Sequence, residues 1–163
     1  MKKLLTIALM AVLCLTAGAQ GTWSVIHREA DELKGQSAKD VYVYDEEGVG
    51  SVVVWDWDRP AFRLITESGL FHQVMVQSQL CVPVTVGLYD DDGYLKTKLN
   101  LILYVESNKN SKWITTGGFY IGGRGNIKKT LAHMKSGKGY VRFVAQLYGQ
   151  PDFDLRVVPF DSK

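Results

Sequence analysis

Apolar and polar residues alternate along much of this chain, which is the pattern of β-strands with one buried and one exposed face. Residues 94–105 show it best, because every second position is leucine, threonine or valine. Residues 140–148 and 152–157 repeat the pattern and predict two more strands. Shorter runs of the same kind predict further strands at residues 22–27, 41–45, 50–57, 62–66, 70–77, 83–89 and 112–121.

Acidic turns separate two pairs of these runs. Residues 45–48 and 90–93 each place a glycine, Gly48 or Gly93, directly after a cluster of carboxylates. A hairpin loop needs a residue that tolerates positive φ at this point, so both segments predict hairpins. The second turn does not fit a calcium-binding EF-hand loop, because Leu88 and Leu99 occupy its first and last ligand positions. No metal site is expected there.

One segment has the spacing of an amphipathic helix instead. Ile127, Leu131 and Met134 form an apolar stripe, Asn126 is a suitable N-cap, and Gly137 follows the stripe. A helix this short is marginal alone, so we expect its stripe to pack on the sheets.

These elements predict an all-β domain with one short packed helix, arranged as an antiparallel two-sheet β-sandwich. A small β-barrel is the alternative. No Pro-rich or Ser-rich linker divides the chain, so residues 20–163 are expected to form a single domain.

The first nineteen residues have the composition of a secretory signal peptide. Lys2 and Lys3 precede a short apolar run, and a small-residue site, Ala17-Gly18-Ala19, follows it. Spanning a bilayer takes about 20 apolar helical residues, and this run is shorter. We therefore expect residues 1–19 to be a cleaved signal peptide, no membrane span, and a periplasmic or secreted protein that begins at Gln20.

Charge and cysteine content restrict the partners. The chain has 19 Lys and Arg against 17 Asp and Glu, and removal of Lys2 and Lys3 leaves the remainder balanced. Binding of nucleic acid without sequence preference needs an excess of positive charge, so nucleic acid is not an expected partner.

Cys81 is the only cysteine after residue 19, which excludes an internal disulfide. Its apolar neighbours predict that it is buried.

The first candidate site is a pair of tryptophans. In a strand over residues 50–57, Trp55 and Trp57 would share one face, while Asp56 and Asp58 would point to the other side. Exposed rings beside carboxylates would suit a sugar, whereas buried rings would belong to the core. The sequence is compatible with both interpretations, a sugar-binding surface and a part of the core.

The second candidate is Arg124, which follows a glycine-rich turn and precedes the helix. Backbone N–H groups at a helix start, together with a guanidinium, can hold an anion. The glycine spacing matches neither a P-loop nor a dinucleotide-binding fingerprint, so no nucleotide and no other cofactor is expected.

Motifs for catalysis are absent from the sequence. It contains no G-x-S-x-G elbow and no H-E-x-x-H helix, and its histidines are scattered. We therefore predict an exported, non-catalytic binding module for a glycan, a cell-envelope component or a protein ligand. The alternatives are an exported hydrolase whose catalytic groups meet only in the fold, and a structural or inhibitory protein-interaction domain.

Overall fold

The computed structural model describes residues 20–58, 61–67, 69–107, 114–117 and 123–161. A short 3₁₀ helix, Glu32–Lys34, and one α-helix, α1 (Arg124–Lys135), accompany ten strands. The strands are β1 (Thr22–Arg28), β2 (Lys39–Glu46), β3 (Gly50–Val54), β4 (Arg63–Thr66), β5 (Val74–Val76), β6 (Gln79–Tyr89), β7 (Leu95–Ser107), β8 (Ile114–Gly117), β9 (Tyr140–Ala145) and β10 (Phe153–Val157).

Every strand pair is antiparallel. The hydrogen-bonded order is β1-β2-β3-β4-β8-β7-β6-β9-β10, and β5 lies beside β6. The strands form two antiparallel sheets and no closed barrel, so the predicted sandwich is confirmed and the barrel alternative is wrong. Contacts across the interior show how the sheets face each other: the Phe62 ring lies 5.4 Å from that of Phe143, and the Phe71 ring lies 5.1 Å from that of Phe153.

The alternation that predicted the strands also describes the core. Leu99, Leu101 and Leu103 of β7 are buried, as the sequence predicts. Leu95 is half exposed, although it belongs to the same alternating set. The register between β6 and β7 shifts between Leu88 and Tyr89, so that Leu95 rather than Lys96 pairs with Tyr89 and lies on the face opposite to the buried leucines.

Helix α1 covers β6, β7 and β9. Ile127, Leu131 and Met134 are buried with the sheets, which confirms the predicted stripe. The helix begins two residues before the predicted N-cap, with Gly123 at the cap position. The Asn126 side chain instead donates a hydrogen bond to the backbone oxygen of Asn100 on β7, at 3.2 Å. Within the described residues, no helix combines the length and apolar character that crossing a membrane requires.

Both predicted hairpin turns are present. Gly48 has φ +79° and Gly93 has φ +83°, the left-handed conformation that favours glycine. In the second turn, Asp90 Oδ1 accepts the backbone N–H groups of Asp92 at 3.1 Å and Tyr94 at 2.8 Å. The hydrogen bond from Tyr94 is the main reason that the pKa of Asp90 is lowered. These carboxylates therefore build the turn itself.

Candidate functional site

Strand β6 has two different neighbours on the side that faces away from β7. β5 pairs with residues 79–81, and β9 pairs with residues 85–89. Between them, Val82, Pro83 and Val84 pair with β7 and with no other strand of the described residues. The sheet therefore divides here, and we call this division the strand fork.

The chain that leads into β5 closes the far side of the fork. The backbone N–H of His72 donates to the oxygen of Gln146 at 2.8 Å, and that of Tyr148 donates to the oxygen of Leu70 at 2.9 Å. The predicted strand over residues 70–77 is therefore divided: its first part follows the chain beyond β9, and only Val74–Val76 pairs with β6. The result is an opening in the sheet with a strand on each side.

A cavity of about 510 Å³ lies in the strand fork. Sites for small molecules commonly have volumes of roughly 300–1,000 Å³. The apolar part of its wall is formed by Val74, Pro83, Val84, Leu101, Ile102, Val144 and Ala145. The polar part is formed by His72, Thr85, Asn100, Gln146 and Asp152. We refer to this site as the fork cavity.

Strand register brings several of the polar groups together. Thr85 on β6 lies opposite Asn100 on β7 and opposite Val144 on β9. Gln146 comes two residues after Val144, so it extends the same face of the sheet. Three neighbouring strands thus present an apolar surface edged by a hydroxyl and two amides.

The polar side chains of the fork cavity are available to a ligand. The side chains of Thr85, Asn100, Gln146 and Asp152 have no hydrogen-bond partner in the part of the chain that the structure describes. The His72 ring packs edge-on against Tyr148, with 4.9 Å between ring centroids. Among the described residues, Asp152 is the one carboxylate in the lining, and no Lys or Arg contributes to it. The site therefore offers neutral hydrogen-bonding groups and one acceptor charge.

Beyond the cavity, the same sheet carries a tyrosine column, formed by Tyr89 and Tyr140, in which other side chains cover the Tyr140 ring. The rings of Tyr89 and Tyr140 stack at 4.4 Å, and the Arg156 guanidinium lies 3.8 Å from the Tyr140 centroid. Arg142 donates two hydrogen bonds to Asp154, at 2.8 and 2.6 Å, and this pairing raises the pKa of Arg142. Both faces of the Tyr140 ring are covered, so the column contributes to packing.

The structure separates the two predicted tryptophans. β3 ends at Val54, so the predicted strand over residues 50–57 is wrong beyond that point. The Trp55 ring lies under the Arg63 guanidinium, which is 4.5 Å from its centroid, whereas Trp57 packs against the core. Asp56 accepts a hydrogen bond from the backbone N–H of Asp58 at 2.9 Å, and Asp58 is exposed. The two rings therefore do not form one platform.

Trp57 belongs to an aromatic cluster, which we define as Trp23, Tyr42, Tyr44, Trp57 and Phe160. Neighbouring ring centroids in it are 5.0–5.8 Å apart. Trp23 Nε1 donates to the oxygen of Val158 at 2.8 Å, whereas Trp57 Nε1 is buried with no partner among the described residues. The cluster joins β1 and β2 to the chain after β10. The sequence also contains Trp113, which lies outside the described residues.

The structure places Arg124 at the first position of α1, where it is exposed. Gly122 of the preceding glycine-rich turn lies outside the described residues. Neither Arg124 nor the two tryptophans line the fork cavity.

The residues of the fork cavity were not predicted as a site. The alternating pattern placed Asn100 and Gln146 on the outward faces of their strands, which the structure confirms. Their convergence depends on the division of the sheet between β5 and β9, and no local sequence signal marks it.

Two pairs of groups that would favour a hydrolase, two carboxylates or a histidine with Cys81, do not meet in this cavity. Among the described residues, its lining includes His72 and Asp152 but neither a second carboxylate nor Cys81. Cys81 is a free, buried thiol, as predicted, and burial raises its pKa and so disfavours the reactive thiolate. Among the described residues, no three His, Cys, Asp or Glu side chains are grouped so that they could hold a metal ion.

No protein family, curated protein or solved structure matches this chain.

Proposed function

We propose that this chain is an exported, non-catalytic binding module that takes a neutral, hydroxyl-rich ligand, such as a glycan, in the fork cavity. The observation that carries the proposal is the set of polar side chains there that lack a partner within the described part of the protein. Export rests on the signal-like leader in the sequence.

The chemistry of the lining favours a sugar. The amides of Asn100 and Gln146 can both donate to and accept from hydroxyl groups, and Asp152 can accept two hydrogen bonds. Pro83, Ile102 and Val144 provide an apolar surface for the C–H faces of a sugar ring. An anionic ligand would be disfavoured, because Asp152 is the only fixed charge among the described lining residues.

Catalysis of glycoside cleavage is the less favoured reading. Most glycosidases use a pair of carboxyl groups, one as an acid and one as a nucleophile or base. In the part of the lining that the structure describes, the fork cavity supplies Asp152 as its one carboxyl group. A bound glycan would therefore be held without being cut.

A peptide is the second candidate ligand, because Val82–Val84 leave one edge of β6 without a strand partner. An extended peptide could add a strand at such an edge. The gap is only three residues long, and Pro83 has no backbone N–H to donate. Few backbone hydrogen bonds could form, so the side-chain chemistry of the glycan reading carries more weight.

Binding to cello-, malto-, xylo- and chito-oligosaccharides, measured by calorimetry, tests the proposal. We expect one of these series to bind, and Asn100→Ala and Gln146→Ala each to weaken binding roughly 3- to 10-fold, the loss of about one hydrogen bond. Gln36→Ala, an exposed amide far from the cavity in the chain, is the control and should bind as the unmodified protein does. Equal affinity in all variants, or no binding by any series, would reject the glycan reading.

A further inference from the structure

The exposed side of α1 carries positive charge only. Arg124, Lys128, Lys129 and Lys135 are exposed on the helix, and Lys138 follows in the next turn. The sequence of α1 contains no Asp or Glu. None of these five cations has a carboxylate within ion-pair distance among the described residues.

Helical geometry aligns three of these charges. Arg124 and Lys128 are one turn apart, and Lys135 lies two further turns along the same side. At 1.5 Å per residue, the line from Arg124 to Lys135 is about 16 Å long. We call these three residues the basic ridge together with Lys129, which lies about 100° around the helix from Lys128 and flanks the line on the exposed side.

The basic ridge is not explained by the stability of the helix. Like charges one turn apart repel, and a cation in the first turn opposes the helix dipole. The chain after residue 19 is neutral overall, but no described carboxylate lies within ion-pair distance of the ridge. Salt weakens the interaction between exposed charges that are not in contact, so the ridge acts locally as a cationic surface.

The surroundings of the ridge favour a narrow ligand over a flat one. Asp91 binds the backbone N–H of Gly139 beyond the C-terminal end of α1, at 2.6 Å, and Asp91 and Asp92 are both exposed. A planar anionic membrane that met the ridge would also approach these carboxylates. Between the cations the exposed side has only Gly125 and Ala132, so no large apolar side chain could enter a bilayer.

We propose that the basic ridge binds a linear acidic polysaccharide. A single polyanionic chain can follow the line of cations and release its counterions along it. Single-stranded nucleic acid is a weaker fit, because the ridge has no aromatic side chain on which a base could stack. Duplex DNA needs no stacking, and the test below distinguishes it from a polysaccharide. None of the ridge residues lines the fork cavity, so this inference stands independently of the proposed function.

Binding of polygalacturonate, measured by calorimetry at several salt concentrations, tests this inference. We expect the triple variant Lys128→Gln, Lys129→Gln, Lys135→Gln to lose at least tenfold in affinity and to depend less steeply on salt. The charge-matched control, Arg28→Gln, Lys34→Gln, Lys39→Gln, changes exposed cations near the other end of the sheet order and should bind as the unmodified protein does.

Three results would overturn the inference: an unchanged affinity in the ridge variant, an equal loss in the control, or tighter binding of duplex DNA or of vesicles containing phosphatidylglycerol. If the ridge variant does not fold, amide chemical shifts of the unmodified protein decide instead. On addition of polygalacturonate, the shifts must change in α1; changes confined to other elements would refute the ridge.

Discussion

Two tryptophans of the aromatic cluster, Trp23 and Trp57, have opposite hydrogen-bonding states. Trp23 Nε1 donates to the Val158 oxygen, whereas Trp57 Nε1 is buried with no partner among the described residues. A buried donor without a partner loses its hydration and gains nothing in exchange. The two indoles should therefore respond differently to replacement by phenylalanine.

We expect Trp23→Phe to lower the free energy of unfolding by about 1–3 kcal/mol more than Trp57→Phe. The first change breaks the hydrogen bond to the Val158 oxygen, while the second removes a buried donor that has no partner among the described residues. Both changes remove similar volume, so each serves as the control for the other. Urea denaturation of the two variants measures the difference, and equal midpoints would show that the Trp23 hydrogen bond contributes nothing.

The sequence predicted which individual side chains are buried better than it predicted which side chains lie together on one surface. Cys81 and the stripe of Ile127, Leu131 and Met134 are buried as predicted, because apolar neighbours and periodicity report local environment. Trp55 and Trp57 separate because β3 ends at Val54. Alternation holds only while the strand continues, and the signal of its end is Asp56, a turn-forming residue type that accepts the backbone N–H of Asp58.

Helix α1 joins the strands through its apolar stripe. Leu131 lies in the middle of that stripe and is buried against the sheets. We expect Leu131→Ala to lower the free energy of unfolding by about 2–5 kcal/mol, because it empties a packed site. Lys128→Ala on the exposed side is the matched control and should change the stability by less than about 0.5 kcal/mol.

Thermal or urea denaturation of both helix variants gives the comparison. If the Leu131 variant unfolds at the same midpoint as the control, then the stripe does not hold the helix to the sheets in solution.

At the scale of elements, the strands could be predicted and their ends could not. The β7 segment and the final strand follow from alternation alone, since each buries one face. The start of α1 differs by two residues because Asn126 uses its side chain to bind β7 rather than to cap the helix. The predicted strand over residues 70–77 is divided because its two halves pair with different neighbours. Pairing of this kind depends on residues far away in the sequence.

The fork cavity exists only at the scale of the whole molecule. Its polar groups come from the chain before β5, from β6 and β7, and from the chain after β9. A sequence shows each of these residues as an ordinary outward-facing position. Their meeting is a property of strand order, which brings β6 between β7 and β9 although β8 and α1 intervene in the chain.

Export would change the whole molecule, because it removes residues 1–19. We expect the protein recovered from the producing cell to begin at Gln20, because a signal peptidase would cut after Ala17-Gly18-Ala19. Intact-mass spectrometry measures this directly. A species that retains Met1, or one that carries lipid on Cys14, would contradict it.

The most direct test of the proposed function is a map of backbone amide shifts in ¹⁵N-labelled protein as the best-binding oligosaccharide of the neutral panel is added. Our account predicts changes centred on residues 82–85, 100–102 and 144–146, the three strands that line the fork cavity. Changes centred instead on Trp55 and Trp57, on α1, or spread without a centre would contradict the assignment of ligand binding to the fork cavity.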